Sequence, residues 1–567
     1  MEKRNLEHTV EYQKQARSST HGFDVEVFEG RPTAQHLINE RRRSALAEID
    51  NAPFSVCLVA GVGFFTDAYD IFAISIASIM LGYVYGGDTL VLNKQQDLGV
   101  KIATPVGTVV GQLLFGWLAD VVGRKKMYGI ELMIIITSTF AQALAANSHA
   151  VHIIGVLVVW CFILGIGIGG DYPLSAVMSS EFAATRIRGR MMTTVVSGQG
   201  FGNFTAALVG LIVVSVYKGS ILNSESTNAQ GLDLESVDFM WRILIGFGCV
   251  PGAIALYFRL TIPETPRFTM DIERNIDKAT QDITNITNGQ KNVDEDAFIQ
   301  RIDTPKASWA DFRAHFGQWK NFKMLFGTAY SWFAVDIAFY GLNLNTGTIL
   351  TAIGFGSLSP KTASAAYSSL HNVCVGNLIL SAAGLIPGCW ATFLLIDKWG
   401  RKPIQLMGFI VLTALFIILG FSYEKLAKPG SSEIGPPQKV YFFLYCLANF
   451  FQNFGPNVTV FIVPGEAFPT RYRSTAHGIS AASGKLGAVV AQAGFSQLKD
   501  IGGPNKWVGH ILEIFAFFML TGVGSTLLLP ETKGLTLEQL SNEDQERFVR
   551  GVKNPMVDNL APLIIQA

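Results

Sequence analysis

The chain has 567 residues, 49% of them hydrophobic and 16% charged, with zero formal net charge and a mean hydropathy of +0.32. Soluble proteins carry about 25% charged residues, so this composition argues against a set of soluble domains and for a chain embedded in lipid. Balanced charge offers no global attraction to nucleic acid, and the six cysteines, all in apolar runs, lack the spacing of a metal site or a disulfide framework.

The first apolar run starts near Phe54, after fifty polar residues without a leader pattern, so residues 1–53 are expected to form a cytosolic tail. Crossing a bilayer takes about 20 apolar residues. Twelve runs qualify: 54–83, 103–121, 127–146, 151–179, 190–217, 242–261, 323–352, 370–396, 403–422, 440–464, 475–497 and 508–529. The polar stretch 262–322 separates an N-terminal bundle, 54–261, from a C-terminal bundle, 323–530, with a tail at 531–567. Short loops on one face carry seven arginines: Arg124, Arg186, Arg188, Arg190, Arg401, Arg471 and Arg473. The opposite short loops carry none, which puts the arginine face, both termini and the central loop in the cytosol.

The two halves repeat. GWLADVVGRKK at 116–126 matches FLLIDKWGRKP at 393–403, EFAATRIRG at 181–189 matches EAFPTRYRS at 466–474, and PETPR at 263–267 matches PETKG at 530–534. Order and near-constant offset indicate a duplicated six-helix bundle, whose substrate site is expected at mid-membrane between the halves. Within the loops, Asp120 is placed to pair with Arg124, Asp397 with Arg401, Glu181 with Arg186 or Arg188, and Glu466 with Arg471 or Arg473. The doubled D-x-x-G-R-K, the E-x-x-x-x-R-x-R loops and the PET ends resemble the major facilitator superfamily over roughly residues 50–530. That resemblance implies an all-α membrane protein with 12 transmembrane helices in two six-helix bundles, and gating roles for these charged pairs.

A charge at mid-bilayer costs about 2.5–3.5 kcal/mol on an insertion scale, so each one calls for a reason. Five lie well inside the spans: Asp67, Asp70, Asp171, Asp336 and Lys485; Glu131 and Glu513 lie nearer span ends and are expected at the interface. Trp332, Asp336 and Tyr340 repeat every four residues and share one helical face. Asn453 and Asn457 flank Gly455-Pro456, a break that frees backbone and amides for a polar ligand. Lys485 sits among small residues and Gln199 among glycines. Asp67 and Asp70 at i, i+3, with Asp171, suit proton exchange, because acids in apolar surroundings titrate near neutrality. GIGIGGDYPLS at 165–175 fits G-x-G-x-x-G, but it follows a membrane span rather than a short soluble strand, so its glycines are expected to thin a helix face. Protonatable acids, one deep lysine, amides, an indole and phenols together suit a small oxyanion carried with protons.

GIGIGGDYPLS, the span-7 pattern around SWF, D and AFYGLNLN, FFQNFGPN, and VPGEAFPTRYRSTAHGISAASGK are similar to the phosphate:proton symporter family, in particular fungal high-affinity inorganic phosphate transporters. The resemblance implies that Tyr172, Gln199, Trp332, Asp336, Tyr340 and Asn457 line a phosphate site with Lys485, and that Asp67, Asp70 and Asp171 serve the proton route. It implies a plasma-membrane symporter without a cofactor, whose partners are inorganic phosphate, protons and membrane lipid, with regulatory partners on the tails and central loop. One position departs: Cys161 stands where family members carry an arginine, a residue expected to offset Asp67 or Asp171. A sugar porter, a glycerophosphodiester carrier and a phosphate-sensing receptor with little flux remain alternative readings.

Overall fold

Twelve helices or broken helices follow the twelve apolar runs. The computed structural model describes residues 55–223, 234–261, 264–271, 308–354, 362–427 and 435–541; the expected N-terminal tail 1–53, the part of the expected C-terminal tail 531–567 that follows 541, and most of the central loop lie outside them. The N-terminal bundle comprises α1 Ser55–Tyr85, α2 Lys94–Val122, α3 Arg124–Ala143, α4 Ile153–Phe182, α5 Arg188–Val216 and α6, which is broken into Leu234–Gly246 and Cys249–Thr261. The C-terminal bundle opens with α7 Trp319–Asn343, continued by Thr346–Ala352. Next come α8, Ala363–Leu380 and Ile386–Trp399 around a π turn, then α9 Arg401–Phe421 and α10, split into Pro436–Asn453 and Pro456–Ala467. Last are α11 Arg473–Leu498 and α12 Val508–Leu527. Eight of these are long and apolar enough to cross a membrane by composition alone; α3, α7, α10 and α11 are more polar or interrupted. Large apolar side chains such as Trp117, Phe140, Phe421, Phe443 and Phe517 stay exposed on the outer faces, as a lipid solvent permits.

Some helices run past their apolar cores because local chemistry sets the ends. The second apolar run begins at 103, yet α2 starts at Lys94, where Asn93 accepts a hydrogen bond from the Gln96 N–H (2.9 Å) and Gln96 accepts one from the Asn93 N–H (3.3 Å). The PET repeat has a similar task. Glu264 accepts the Lys125 N–H at the start of α3, and Glu531 accepts the Arg401 and Lys402 N–H groups (both 3.0 Å) at the start of α9. The preceding Gly123 and Gly400 have φ of +117° and +106°, and a β-carbon there would fall 2.8 Å and 2.5 Å from these carboxylates.

The glycine run of α4 is a packing surface. Gly165 and Gly169 face Gly107 and Gly111 of α2, and a β-carbon on Gly165 would lie 2.2 Å from the Thr104 carbonyl oxygen. Gly167 and Gly170 do the same against α3. The two bundles meet where α2 lies along α11 and α5 along α8. Asp171 and Tyr172 therefore enter a crowded interior, with Tyr172 turned toward the other bundle.

Candidate functional site

Between the bundles, Phe64 of α1, Tyr172 of α4, Val196 and Gln199 of α5, Trp332, Asp336 and Tyr340 of α7, Asn457 and Phe461 of α10 and Lys485 of α11 line one cleft. All seven residues expected at the substrate site meet there. Lys485 and Asp336 form a buried ion pair at 2.8 Å, and the Lys485 ammonium lies over the Tyr340 and Tyr172 rings at 4.3 and 4.6 Å. Two links cross between bundles: the Tyr172 and Tyr340 hydroxyls are 3.2 Å apart, and Asn457 donates to Gln199 at 2.9 Å. Asn457 also donates to Asn453 at 2.7 Å, across the break in α10. The cavity left between these groups is only about 10 Å³, near the room one water needs. Lys485 is held by Asp336, Tyr172 by Tyr340, and Asn457 by Gln199 and Asn453, so most of the polar groups bond to one another. Gly484 makes the α7–α11 approach possible, since a β-carbon there would lie 2.3 Å from Trp332 and 2.9 Å from the Asp336 carboxylate. His477 braces the same wall: its Nε2 is 3.2 Å from the Phe461 carbonyl oxygen, and its ring meets Trp332 edge-on at 5.3 Å. Sequence reasoning passed over Phe64, Val196, Phe461, His477 and Gly484, which look like ordinary core residues.

A second cluster lies within the N-terminal bundle. Arg259, on the second segment of α6, donates to Asp171 at 2.8 Å and to Glu131, and stacks on Tyr128 with its guanidinium 3.9 Å from the ring centre. Ser175 donates to the other Asp171 oxygen at 2.5 Å. Asp67 faces Asp171 and forms no ion pair among the described residues. A β-carbon on Gly63 would sit 1.6 Å from the Arg259 guanidinium, so glycine at 63 lets the arginine reach this position. Two expectations change. Glu131, expected at the interface, is fully buried, because α3 begins at Arg124 and carries residue 131 two turns inward. The second concerns the counter-charge that Cys161 in place of an arginine implies is missing from Asp67 or Asp171: Arg259 of α6, which the sequence reading does not single out, supplies it to Asp171. Glu513, in contrast, is partly exposed and pairs with His510 at 3.0 Å.

Asp70 stands apart from Asp67 and Asp171. It accepts from the Thr139 hydroxyl at 2.9 Å, and its other oxygen points at Gly248 in the break of α6, where a β-carbon would lie 1.9 Å away. Cys161 is buried beside this group, with its Sγ 3.5 Å from Gln142 Oε1. Gln142 lies one turn of α3 from Thr139, the donor to Asp70, so the acid on the Cys161 side of the bundle is Asp70, whereas Asp171 is held by Arg259.

At the arginine-rich end the repeated loops exchange partners across the bundles. Asp120 pairs with Arg124 (3.3 Å) and Asp397 with Arg401 (3.0 Å), as the spacing suggested. Glu181 does not pair with Arg186 or Arg188; it binds Arg473 of the other half at 2.8 Å and Arg124 at 3.5 Å. Glu466 binds Arg401 at 2.7 Å, with Arg188 of the other half at 4.0 Å, instead of Arg471 or Arg473. Arg471 turns out to Asp311 (3.0 Å), and Arg186 is exposed. The cause is helix direction: residue 188 opens α5 and residue 473 opens α11, and both openings point at the opposite bundle. Asp120 accepts the Thr475 N–H (2.7 Å) and hydroxyl (2.8 Å) at the start of α11. Asp397 correspondingly accepts the Gly189 and Arg190 N–H groups (3.2 and 3.0 Å) at the start of α5. Each aspartate is a carboxylate on the positive end of a helix from the other half.

The family model described as "Sugar (and other) transporter" matches residues 56–543. The chain is 48% identical over 525 residues to a repressible high-affinity phosphate permease of Neurospora crassa, covering 89% of this chain and 90% of that one. It is 47% identical over 530 residues to the inorganic phosphate transporter PHO84 of Saccharomyces cerevisiae, covering 88% and 87%. Among solved structures, the proton:xylose symporter XylE bound to 6-bromo-6-deoxy-D-glucose superimposes with a TM-score of 0.64 at 20% identity, over 86% of this chain and 98% of that one, a likeness of fold. These relatives are transporters and permeases, not enzymes. The chain belongs to the sugar (and other) transporter family of the major facilitator superfamily, and within it to the phosphate permeases.

Proposed function

We propose that the chain carries inorganic phosphate into the cell together with protons, by alternating access across the plasma membrane, with both termini in the cytosol. The observation that carries this reading is the cleft between the bundles, where one ammonium, one carboxyl, two phenols, an indole and amides converge out of contact with lipid. A lysine held by an internal carboxylate offers a cationic anchor that an incoming anion can compete for. The phenols, the indole N–H and the amides are hydrogen-bond donors for phosphate oxygens. Because Asn457–Gln199 and Tyr172–Tyr340 span the two bundles, a phosphate taking over those bonds touches both halves and senses their relative position.

Protons enter through the Asp67, Asp171, Glu131 and Arg259 cluster, one residue along α4 from Tyr172, with Asp70 as a neighbouring acid. When the halves rock, the latch of Asp120, Glu181, Asp397 and Glu466 opens and the outer end closes. The cytosolic tails and the central loop, largely outside the described residues, are where regulatory partners bind.

Uptake of labelled phosphate into proteoliposomes, with and without a pH gradient, tests the reading. Asp336→Asn and Lys485→Gln are both expected to abolish uptake, and survival of transport in either overturns the site. Sugars and glycerophosphodiesters as competitors separate the related substrate classes, and binding without gradient-driven uptake identifies a receptor.

A further inference from the structure

A larger cavity, about 220 Å³, lies between the bundles at the end opposite the arginine latch. Its walls include Lys94, Asp97 and Lys101 from α2, and Ser496, Lys499 and Asp500 from the end of α11. Lys101 is only 7% exposed; its ammonium binds Asp97 at 2.9 Å and reaches the Asn345 amide oxygen of the other bundle at 3.4 Å. Asp500 accepts the Asn505 N–H at 3.0 Å. Lys94 and Lys499 form no ion pair among the described residues, which leaves one positive charge in excess in the cavity. Burial and the charges of Lys101 and Lys94 pull the Lys499 pKa below its usual value. Three ammonium groups and two carboxylates thus line a space with a net positive charge that an anion would neutralise.

The cavity is wired to the central cleft. Asn345 donates to Gln492 at 3.0 Å, and Gln492 donates to the Tyr340 carbonyl oxygen at 2.8 Å. Nine residues of α7 separate Asp336 from Asn345, a rise of about 13 Å at 1.5 Å per residue. An anion held here is thus one step from the Lys485–Asp336 pair.

We infer that this outer cavity is a capture site for the transported oxyanion: Lys94 and Lys499 draw inorganic phosphate to its mouth, and phosphate reaching Lys101 displaces Asn345 and loosens the Lys101–Asn345–Gln492–Tyr340 chain that closes the path inward. The inference rests on the phosphate-transport reading above. Charge at such a vestibule acts on encounter more than on the chemistry of the inner site. The test is phosphate uptake by the full chain in proteoliposomes carrying Lys94→Gln with Lys499→Gln. The KM for phosphate should rise about threefold or more at unchanged kcat, and the rise should shrink as ionic strength increases. Lys499→Arg should keep the wild-type KM, which separates charge from folding. Equilibrium binding of inorganic phosphate to Lys485→Gln protein should show a weak residual site that disappears when the two outer lysines are also replaced. An unchanged KM, a fall in kcat alone, or no residual site overturns the inference. Absence of phosphate uptake by the unmodified chain overturns instead the transport reading on which it rests.

Discussion

Replacing Asp120 with Asn tests the latch at the arginine-rich end. The substitution keeps the shape of the side chain and removes its charge. In the structure Asp120 accepts two short bonds from Thr475, at 2.7 and 2.8 Å, a longer one from the Ser474 N–H (3.3 Å), and the Arg124 guanidinium at 3.3 Å. A hydrogen bond to a charged group contributes about 1.5–3 kcal/mol against about 0.5–1.5 for a neutral one, so each short bond loses roughly 1 kcal/mol or a little more. The lost interaction with the α11 N-terminus adds about 0.3–1 kcal/mol. The two bonds and the helix end bridge the bundles, so about 2–3 kcal/mol is removed from the state with this end closed, a shift of roughly 30- to 150-fold between conformers. Single cysteines placed along the half of the cleft nearest the arginine-rich end, in a background lacking the native six, should react faster with a membrane-impermeant thiol reagent added on that side in Asp120→Asn. Equal labelling rates would refute the bridging role assigned to Asp120.

Arg259→Gln leaves Asp171 and Glu131 without their shared cation; loss of one partner from a buried pair costs about 3–5 kcal/mol, so thermal stability in detergent should fall, and Asp171→Asn in the same chain should restore part of it. At Cys161 the neighbour is Asp70, whose Oδ1 has no hydrogen-bond partner; Cys161→Arg should therefore lower the melting temperature less than Cys161→Met, and the order should reverse in an Asp70→Asn background. Asp67→Asn should flatten the pH dependence of phosphate affinity, measured by equilibrium binding, because it removes one titrating carboxyl from the cluster beside Tyr172; an unchanged pH profile removes Asp67 from the proton route.

The spans, and the side chains that meet in the central cleft, are legible because each leaves a one-dimensional trace. An apolar run of bilayer length marks a helix, and Trp332, Asp336 and Tyr340 at four-residue spacing mark one face. Depth was read less well. Distance from the span edge places Glu131 at the interface, yet Gly123 starts α3 earlier than its apolar run; Arg259 leaves no such trace, because it is the break at 247–248 that lets the second segment of α6 carry it inward. Partner choice was not legible at all where it crosses the bundles. Glu181 has two arginines within seven residues, and it binds Arg473, which is 292 residues away, because the helix openings face each other. The repeat holds the clue: loops with the same charged positions in both halves allow reciprocal pairing as readily as local pairing.

The two bundles share their latch chemistry and differ in their interiors, and that difference supplies a physical basis for coupling. The N-terminal cluster sets three carboxyls, Asp67, Asp171 and Glu131, against one guanidinium, whereas the cleft holds one carboxyl and one ammonium. With every group ionised, the cluster carries two negative charges in excess and the Lys485–Asp336 pair none. Asp171 and Tyr172 are adjacent on α4 with side chains turned to different sides; taking Cα atoms about 3.8 Å apart and adding the reach of both side chains, we use a separation on the order of 10 Å between the cluster and a phosphate in the cleft. At an effective dielectric near 20, a singly charged phosphate at that distance is opposed by about 3 kcal/mol, two orders of magnitude in affinity. Each proton taken up by the cluster removes about half of that opposition. On the proposed assignment of the two sites, phosphate and protons favour each other without touching, and the linkage is reciprocal: bound phosphate would raise the affinity of the cluster for protons by the same factor.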